Sequence, residues 1–482
     1  MPIGRPLVFA LKHSSRRRFV AYRIKALRRR RHLILLVALL VLILFVLYRA
    51  HLALLGNNIM DDGDLENFLN KAQPPVDPSS IHTVIKLNVP DAGLVSLPDA
   101  LCHRLPNLSI LFAPNNQIKE LPHHIGSCSK LQMVSFKTNG MTSIHLDALQ
   151  GQMRWLILTD NAITELPTTI GRCSNLQKLM LSGNELTHIP EEISNCERLE
   201  LVRLASNQLT SAPMTLLRLP NLAWIALSAN PFLDSVVSYR SKEHPPLPLL
   251  DDPVLDNETQ GEILGQGASG VTRKVKLSNT YVAVKTYKGT MTSDGSPLDE
   301  KQIALVASTI ASDCLIKVLG QTPQGSLVME LLHNVRAFGG PPSMESCSRD
   351  VYGDNDKVSE VQAKTMVTGL LEVLMELHQR GIMHGDLYGH NILVSDDDPT
   401  LVKLSDFGAA FFYDTDAEYG MLLQQIEMRA FGILVSEIDT LLGRVHADSP
   451  LRSPLNAVSE ASRSKKSFIE LQSVWKSHLE YM

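Results

Sequence analysis

Three polar side chains in the last quarter of the sequence have the types and the spacing that phosphoryl transfer requires. Asp386 and Asn391 lie in the stretch HGDLYGHN, residues 384–391, and Asp406 follows fifteen residues later at the start of Asp-Phe-Gly. Phosphoryl transfer needs one carboxylate to orient the attacking hydroxyl and further oxygen ligands to hold magnesium against the phosphates. Asp386, Asn391 and Asp406 could supply all three groups.

A glycine-rich stretch, LGQGASGV at residues 264–271, lies between apolar segments that alternate as strands do. Its Gly-x-Gly-x-x-Gly spacing is weak evidence alone, because dinucleotide-binding folds and ordinary turns also contain it. A helix would begin at once in a dinucleotide-binding fold, whereas strand-like alternation continues here to residue 277. The next strand-like segment places Lys285 fifteen residues after Gly270. The pattern therefore favours a glycine-rich hairpin that covers phosphates.

Residues 81–235 repeat themselves with a period near 23 residues. Each repeat has apolar residues eight, five and three positions before an asparagine, and the asparagines are Asn116, Asn139, Asn161, Asn184, Asn207 and Asn230. This spacing is typical of leucine-rich repeats, in which each coil contributes one short strand and stacked coils share a core. We expect the asparagines to satisfy backbone groups at the turn of each coil, which is a structural role.

An apolar stripe is expected on the concave strand face of these repeats. It consists of Ile110, Phe112, Met133, Trp155, Ile157, Met180, Leu201 and Trp224, and we call it the concave stripe. An exposed apolar patch usually marks a surface that binds a partner. Two occupants are possible: a separate protein substrate or regulator, or the C-terminal domain of the same chain.

The motifs of the C-terminal region resemble those of the eukaryotic-type protein kinase family. The glycine-rich stretch, the sequence VAVK that ends at Lys285, the sequence HGD with Asn391, and Asp-Phe-Gly all occur in the family's order and spacing. Residues 81–442 also resemble a small group of leucine-rich-repeat protein kinases, of which the wording HGDLY is typical. The resemblance implies a two-lobed α+β domain that binds ATP and Mg²⁺.

The resemblance also implies roles for individual residues. Lys285 would pair with the α and β phosphates, held by Glu300 with Asp299 as the rival. Residues 329–332 resemble the hinge, whose backbone groups would bind adenine. The nucleotide-binding residues that it implies are Gly265, Gln266, Gly267, Gly270, Val271, Ala283, Lys285, Glu300, Glu330 and Leu332. The catalytic residues that it implies are Asp386, Lys285 and Asn391, with Asn391 and Asp406 as the magnesium ligands. Glu427 stands where the family has an Asp that anchors the lower lobe.

Several positions depart from the family's pattern. Gly385 replaces the Arg that binds an activation-loop phosphate, so we predict activity that needs no loop phosphorylation. Tyr388 stands where serine/threonine kinases have a Lys, and His390 is at best a partial replacement. Loss of such a charge could cost a few kcal/mol of transition-state stabilisation. Only eighteen residues separate Gly408 from Glu427, so the segment that normally docks a protein substrate is short.

Two other functions compete with a protein kinase. Small-molecule phosphotransferases also use a His-Gly-Asp-Leu motif, but Asp-Phe-Gly and the glycine-rich stretch argue against them. The second alternative is a nucleotide-binding pseudokinase scaffold whose repeats bind a protein, which the replacement at Tyr388 keeps open.

The N-terminus differs from the rest of the chain. Eleven Lys or Arg precede His32, and no Asp or Glu occurs before Asp61, although the net charge of the 482 residues is only -4. Since this asymmetry concerns the N-terminus alone, we expect no nucleic-acid partner. Residues 33–48 are uncharged and apolar, and extension to residue 55 reaches a length that spans a bilayer. We therefore predict a single-pass membrane protein.

The side of the membrane is open. The basic N-terminus favours a cytosolic start, which would place the later domains outside, whereas a domain that uses ATP is expected in the cytosol. We favour the cytosol on ATP access, with an organelle transit segment and anchor as the alternative.

Taken together, the sequence predicts an α/β solenoid of leucine-rich repeats followed by a two-lobed α+β protein kinase-like domain. The predicted segments are a basic N-terminus (1–32), a transmembrane helix (33–55), a linker (56–80), the repeats (81–235), an extended Pro-rich linker (236–255) and the kinase-like domain (256–482). About forty residues follow Leu442, including the polar run at residues 459–467, and this tail is predicted to be partly disordered. Cys128, Cys173 and Cys196 occupy equivalent places in successive repeats and are predicted to be buried thiols.

Overall fold

The computed structural model describes residues 62–243, 247–250, 260–267, 269–289, 291–465 and 467–480. The described residues from Glu66 onward form one compact unit. The basic N-terminus and the transmembrane helix predicted at residues 33–55 lie outside the described residues, so that helix stays a prediction. Among the helices that are described, none has the length and apolar character needed to cross a bilayer.

The repeats form a solenoid, because each coil of about one period contributes a single three-residue strand and then turns back. Its parallel sheet has the strand order β1-β2-β4-β6-β7-β8-β9. These strands are β1 Lys86–Asn88, β2 Ile110–Phe112, β4 Met133–Ser135, β6 Trp155–Ile157, β7 Lys178–Met180, β8 Leu201–Arg203 and β9 Trp224–Ala226. Two further strands, β3 Glu120–Leu121 and β5 Ser143–Ile144, pair separately in parallel.

The helical turns between these strands are short. Helix α1 Asp62–Asn70 precedes the first coil. The later turns are helices α2 Leu101–Arg104 and α3 Met214–Leu217 and the 3₁₀ turns Pro78–Thr83, His123–Ser127, Thr168–Arg172, Glu191–Asn195 and Pro231–Leu233.

The repeat asparagines have the predicted structural role. Asn184 is buried, and its amide nitrogen donates to the carbonyl oxygens of Leu158 at 3.0 Å and Leu181 at 2.9 Å. Its side-chain oxygen accepts a hydrogen bond from the backbone N–H of Ile163 at 3.0 Å. One side chain therefore satisfies three buried backbone groups of two successive coils, which confirms the prediction.

Substitution of Asn184 by alanine is expected to lower the free energy of unfolding by about 2–4 kcal/mol, because several buried backbone groups lose their partners at once. Denaturant-induced unfolding followed by circular dichroism measures the change. The matched control is Asn195→Ala, an exposed asparagine of the neighbouring coil that is expected to change the free energy by less than about 0.5 kcal/mol. Equal effects of the two substitutions would contradict the structural role.

A helix, α4 Asp234–Glu243, begins where the extended Pro-rich linker was predicted. That prediction was wrong for residues 236–243, because the prolines occur only after Glu243 and leave the preceding ten residues free to form helical hydrogen bonds. Beyond the gap, Leu249 forms a parallel bridge with Gln321, which attaches the segment 247–250 to the next domain.

The upper lobe of the C-terminal domain is an antiparallel sheet of five strands in the order β10-β11-β12-β14-β13. The strands are β10 Glu262–Gln266, β11 Gly270–Leu277, β12 Thr280–Tyr287, β13 Val318–Gln321 and β14 Leu327–Glu330. Helix α5 Pro297–Ala307 follows β12, and its N-terminus is capped by Ser296, whose side chain accepts from the N–H of Asp299. This cap and Pro297 in the first turn fix where the helix begins.

The lower lobe is built on two long helices, α6 Glu360–Gln379 and α7 Glu418–Gly443. Short antiparallel strand pairs flank them: β15 Val335–Ala337 with β17 Ile392–Ser395 and β18 Val402–Leu404, and β16 Ile382–Met383 with β19 Phe411–Phe412. The HGD stretch follows β16, and Asp-Phe-Gly lies between β18 and β19. The sheet edges and α7 together therefore position the candidate site.

The C-terminal tail is folded, contrary to the prediction of partial disorder. Helices α8 Arg452–Ala461 and α9 Phe468–Leu479 pack on the lower lobe through the buried side chains of Leu455, Val458 and Trp475. The prediction weighed the polar run at residues 459–467 and overlooked the apolar residues that recur at helical spacing on both sides of it.

The concave stripe packs on the C-terminal domain of the same chain. Trp224 is buried and stacks on Tyr388, with ring centroids 4.4 Å apart and ring planes at 6°. Trp155 donates its indole N–H to the sulfur of Cys347 at 2.6 Å. The other members pack around these two contacts: Met133 is buried, Ile110, Phe112 and Ile157 are partly buried against Trp155 and Cys347, and Leu201 and Met180 join the main core. Of the two occupants considered, the structure contains the intramolecular one.

The cysteines follow the prediction only in part. Cys102 and Cys128 form a disulfide, so the prediction of a buried thiol was wrong for Cys128. Cys173 and Cys196 are buried free thiols, as predicted. Burial raises the pKa of Cys173 to about 12 and that of Cys196 to about 11, so both are inert at neutral pH.

Candidate functional site

Lys285 is the centre of a three-residue cluster in the upper lobe. Its ammonium nitrogen lies 2.7 Å from Glu300 Oε1 and 3.0 Å from Asp406 Oδ1. Lys285 comes from β12, Glu300 from α5 and Asp406 from the Asp-Phe-Gly turn, so three separate elements meet at one nitrogen. Lys285 and Glu300 are buried, whereas the side chain of Asp406 is 49% exposed. The cluster therefore presents one accessible carboxylate to the space between the lobes.

Electrostatics favour the charged forms of Lys285 and Asp406 in this cluster. Burial lowers the pKa of Lys285, but the carboxylates of Asp406 and Glu300 outweigh burial and raise the pKa above its usual value. Desolvation raises the pKa of Asp406, but the ammonium of Lys285 and the N–H of Gly408 outweigh it and lower the pKa overall. Both partners of this ion pair are thus charged at neutral pH.

Glu300, and not its rival Asp299, is the partner of Lys285. The carboxylate of Asp299 accepts a hydrogen bond from the backbone N–H of Ala229 in the repeats at 3.0 Å. Three residues before Asp299, the N–H of Ser296 donates to Ser228 Oγ at 3.3 Å. The last repeat therefore contacts the N-terminus of α5, the helix that carries Glu300.

The contact of Asp299 with the repeats is expected to make stability depend on pH. Burial raises the pKa of Asp299 to about 6, despite the N–H of Ala229, which lowers it. The folded chain then holds the proton more tightly than the unfolded chain, so this residue's contribution to stability falls as pH rises from about 4 to about 6. Between pH 5 and pH 7 the fall is about 1 kcal/mol.

Asp299→Asn is expected to remove this fall, because the amide does not ionise and its oxygen still accepts from Ala229. Denaturant unfolding of both proteins at pH 5 and pH 7 measures it, with the exposed Asp354→Asn as the control. If wild type and Asp299→Asn differed by the same amount at both pH values, the predicted ionisation would be wrong.

The catalytic loop, residues 384–391, brings Asp386 and Asn391 together. The amide nitrogen of Asn391 donates to Asp386 Oδ2 and to the carbonyl oxygen of Asp386, both at 2.8 Å. The backbone carbonyl of Asn391 accepts from the N–H of Ser405 at 2.9 Å and from its hydroxyl at 2.8 Å. Because Ser405 precedes Asp406, these bonds tie the loop to the Asp-Phe-Gly turn. The side-chain oxygen of Asn391 stays available to a metal.

Glu427 on α7 anchors the start of the catalytic loop. Its carboxylate accepts from the N–H of His384 at 3.1 Å and from the N–H of Gly385 at 2.6 Å, and His378 Nε2 lies 2.8 Å from it. Glu427 is fully buried, and although burial raises its pKa, these three neighbours outweigh burial and lower it. The carboxylate thus provides acceptors for two buried backbone N–H groups that would otherwise have none.

Gly385 has a structural reason that the sequence did not reveal. Its φ is 75°, and a Cβ added to it would lie 2.5 Å from the carbonyl oxygen of Ile225 and 2.9 Å from that of Ala409. Strand β9 of the repeats therefore approaches the loop so closely that only glycine fits. The Arg of the family pattern is absent because a repeat strand occupies its space.

Tyr388 carries no positive charge that could replace the missing Lys, and His390 pairs with Asp350. Tyr388 is buried between Trp224 and His390, with its ring 4.9 Å from that of His390. His390 is bound to Asp350 in two ways. Its backbone N–H donates to Asp350 Oδ2 at 2.9 Å, and its ring Nδ1 lies 2.7 Å from Asp350 Oδ1. Burial lowers the pKa of His390, but Asp350, Asp386 and Asp406 outweigh burial and raise it, so the partial replacement by His390 stays a prediction.

Arg203, a residue of strand β8 in the repeats, reaches the catalytic loop. It is 2% exposed and forms an ion pair with Asp386 through Nη2 and Oδ1. Its Nη1 donates to the carbonyl oxygen of Gly385 at 3.1 Å, and its Nε donates to Asp294 Oδ1 at 3.1 Å. Burial lowers the pKa of Arg203, but Asp386 and Asp294 outweigh burial and raise it.

Arg203 is not among the site residues predicted from the sequence, although its place in the sheet provides a signal. The register of the parallel sheet aligns it with Met180 on one side and Ala226 on the other. A cation in register with the concave stripe has to be paired if that stripe is covered.

The predicted nucleotide-binding residues line the upper lobe as follows. The glycine-rich stretch forms a hairpin between β10 and β11, closed by the Gly267 N–H that donates to Gly270 at 3.0 Å. A Cβ on Gly265 or Gly267 would meet no atom within 4 Å, so the space beside the hairpin is open. The remaining predicted residues are Gln266 at the end of β10, Val271 and Ala283, which are buried, and Leu332, which is half-buried after β14.

The side chain of Glu330 is bound to other groups of the protein and does not face a nucleotide. Its carboxylate accepts from the backbone N–H of Lys317 at 2.8 Å and lies 3.0 Å from the ammonium of Lys403. Glu330 therefore fastens the end of β14 to its surroundings, which leaves only its backbone for adenine.

The donor set fits magnesium. Mg²⁺ is usually held by one or two protein oxygens together with substrate phosphates, rather than by a closed protein cage. Asp406 supplies an accessible carboxylate and Asn391 a free amide oxygen, whereas no group of three or more His, Cys, Asp or Glu arranged for a metal occurs among the described residues. The site is thus suited to a metal that arrives with phosphates.

Comparison with known proteins agrees with this geometry. The family model described as "Protein kinase domain" matches residues 259–430, and the model described as "Leucine rich repeat" matches residues 151–209 and 174–232. A probable serine/threonine-protein kinase of Clostridium acetobutylicum is 24% identical over 223 residues, which are 42% of this chain and 32% of that protein. Calcium-dependent protein kinase 27 of Arabidopsis thaliana is 26% identical over 179 residues, 36% of each chain.

The chain spans about a third of the length of these curated relatives. Among solved structures, the crystal structure of a TLR13–ssRNA13 complex matches with a TM-score of 0.28 and 22% identity, over 30% of this chain and 22% of that chain. Family matches and site geometry lead to one conclusion: the chain combines leucine-rich repeats with a domain that belongs to the protein kinase family.

Proposed function

We propose that this chain is an ATP-dependent protein kinase that transfers the γ-phosphate to a serine or threonine hydroxyl of a protein. One observation carries the proposal: Lys285 is held by Glu300 and Asp406 in the same structure in which Asn391 bonds Asp386. A buried, charged Lys beside an accessible carboxylate is suited to bind phosphates that enter the space between the lobes. The serine/threonine kinases among the relatives support the choice of hydroxyl.

The residues divide the chemistry between them. Lys285 binds the α and β phosphates, and Glu300 fixes the direction of its ammonium group. Asp386 accepts the hydrogen bond of the substrate hydroxyl and so orients that oxygen toward the γ-phosphate. Asn391 and Asp406 would hold magnesium, which supplies charge neutralisation for the phosphates.

We further propose that the repeats regulate the kinase from within the chain. Ser228 and Ala229 bond the N-terminal turn of α5, which carries Glu300, so the repeats help to hold the Lys285–Glu300 pair. This contact supports control by the repeats without phosphorylation of the short activation segment.

A membrane anchor at residues 33–55 completes the proposal. The support for it is the apolar run and the basic block before it. A protease-protection assay on membrane vesicles tests the orientation. A kinase domain that is digested only after detergent lies inside the vesicle, and one that is digested at once lies outside.

Phosphate transfer by the purified full-length chain tests the proposed activity. Wild type with labelled ATP and magnesium is expected to label itself or a generic protein substrate, whereas Asp406→Asn is expected to lose most transfer because a metal ligand is removed. The control is Asp397→Asn, an exposed carboxylate after β17. Nucleotide binding without any transfer by wild type would favour the pseudokinase scaffold, which the buried Tyr388 supports.

A further inference from the structure

The catalytic loop contains no Lys or Arg that could pair with Asp386. The sequence HGDLYGHN has neither Lys nor Arg, and its one imidazole beyond the loop start, His390, is bound to Asp350. Serine/threonine kinases have a Lys at the position of Tyr388, whose positive charge stabilises the transferring phosphoryl group. Loss of this charge weakens the stabilisation of the transition state. A kinase with this loop needs the charge from elsewhere.

Arg203 brings a positive charge to Asp386. Its guanidinium pairs with Oδ1 of Asp386, while Asn391 donates to Oδ2 at 2.8 Å. Both carboxylate oxygens therefore have a fixed donor, so the carboxylate cannot rotate about its last bond. A planar guanidinium with several N–H groups suits this task better than an ammonium does.

The surroundings of Arg203 are built to hold it. Asp294, which precedes α5 in the upper lobe, accepts from Nε at 3.1 Å, and the Gly385 carbonyl in the lower lobe accepts from Nη1 at 3.1 Å. One side chain of the repeats thus bonds both lobes at the entrance to the site. The neighbouring cation, Lys178, lies over the ring of Trp155 at 4.8 Å.

We infer that Arg203 is a positioning residue of the kinase site, supplied by the repeats in place of the Lys that the catalytic loop lacks. This inference rests on the proposed kinase function and deepens it, because it makes the active site a joint product of the two domains. The opposite role, in which Arg203 blocks Asp386 and keeps the kinase inactive, predicts the opposite result in the same experiment.

The experiment compares Arg203→Ala with Arg218→Ala in the full-length chain. Arg218 is a matched control, because it also joins the repeats to the lower lobe, through Glu418, but both side chains of this ion pair are exposed. Arg203→Ala is expected to lower kcat about 10²–10³-fold with KM for ATP within about twofold, whereas Arg218→Ala leaves both unchanged. Arg203→Lys is expected to recover part of the loss.

Two further measurements separate positioning from folding. Added guanidinium ion is expected to raise kcat of Arg203→Ala and not that of Arg218→Ala, since the ion can fill the space of the missing side chain. Amide hydrogen exchange in residues 384–391 is expected to accelerate in Arg203→Ala while α6 keeps its protection. Unchanged or higher kcat in Arg203→Ala, or unchanged exchange in the loop, would overturn the inference.

The exchange measurement also distinguishes the two proposals. If wild type transfers no phosphate, the proposed function fails, and exchange in the catalytic loop still decides whether Arg203 positions it.

Discussion

Replacement of Asp386 by asparagine is expected to lower kcat for phosphate transfer by about 10²–10⁴-fold, which is the usual contribution of a group that handles the substrate proton. The structure gives a second reason. Both oxygens of Asp386 face donors, Arg203 on one side and the Asn391 amide on the other. The NH₂ of asparagine would face one of these donors, so the substitution also disturbs the orientation of the side chain.

Nucleotide affinity separates this effect from a general loss of structure. Lys285 and Asp406 do not contact Asp386, so the affinity for ATP with magnesium is expected to change by no more than about twofold. Steady-state kinetics and titration with a fluorescent nucleotide measure the two quantities. The matched control is Asp396→Asn, whose exposed carboxylate pairs with Arg336 at 3.0 Å. If Asp386→Asn retained more than a tenth of wild-type kcat, another group would have to orient the hydroxyl.

Substitution of Glu427 by alanine is expected to lower the free energy of unfolding by about 3–5 kcal/mol, the typical cost of breaking a buried charged network. The N–H groups of His384 and Gly385 would lose their acceptor in a position where water cannot replace it. Denaturant unfolding measures the loss. Glu418→Ala on the same helix serves as the control, because its ion pair with Arg218 is exposed and is expected to contribute at most about 1 kcal/mol.

The contribution of Glu427 also has a definite pH dependence. Its pKa is lower in the folded chain than in the unfolded chain, so the stabilisation is present above the unfolded value of 4.5 and is lost as pH falls through the folded value. Wild type should therefore lose stability in acid faster than Glu427→Gln. Parallel acid sensitivity of the two proteins would show that the carboxylate is not ionised in the fold.

The cluster of Lys285, Glu300 and Asp406 could be predicted from local motifs. Lys285, Glu300 and Asp406 each lie in a pattern that can be read within a few residues, and their meeting follows from the family's fold. The choice between Asp299 and Glu300 could be stated but not decided, because both lie in the first turn of α5 and only the position of the repeats assigns Asp299 to Ala229.

Contacts between distant parts of the chain could not be predicted in this way. Arg203 is separated from Asp386 by 183 residues, and nothing in either local sequence specifies the other. The same holds for Gly385, whose lack of a side chain is explained only by the approach of Ile225. The sequence offered two occupants for the concave stripe, and the decision between them depends on how two domains dock, which no periodicity encodes.

The errors have local causes. The prediction of an extended linker was wrong because it extended the influence of the prolines after Glu243 to the preceding residues, which contain no proline and form a helix. Disorder in the tail was wrong because a polar run was judged without the apolar residues of α8 and α9 on either side. The disulfide between Cys102 and Cys128 joins cysteines 26 positions apart, and a repeat-based alignment of thiols did not include Cys102.

The order in which the chain is synthesised gives the concave stripe a further consequence. Cys347, the partner of Trp155, is synthesised 192 residues after it, and Leu387, the partner of Trp224, is synthesised 163 residues after it. At about 5–20 residues per second, the ribosome needs roughly ten to forty seconds to produce the surface that covers these two indoles. During that interval the finished solenoid displays an apolar face to its surroundings, so nascent repeats of this chain are expected to be a substrate for chaperones until the catalytic loop has emerged.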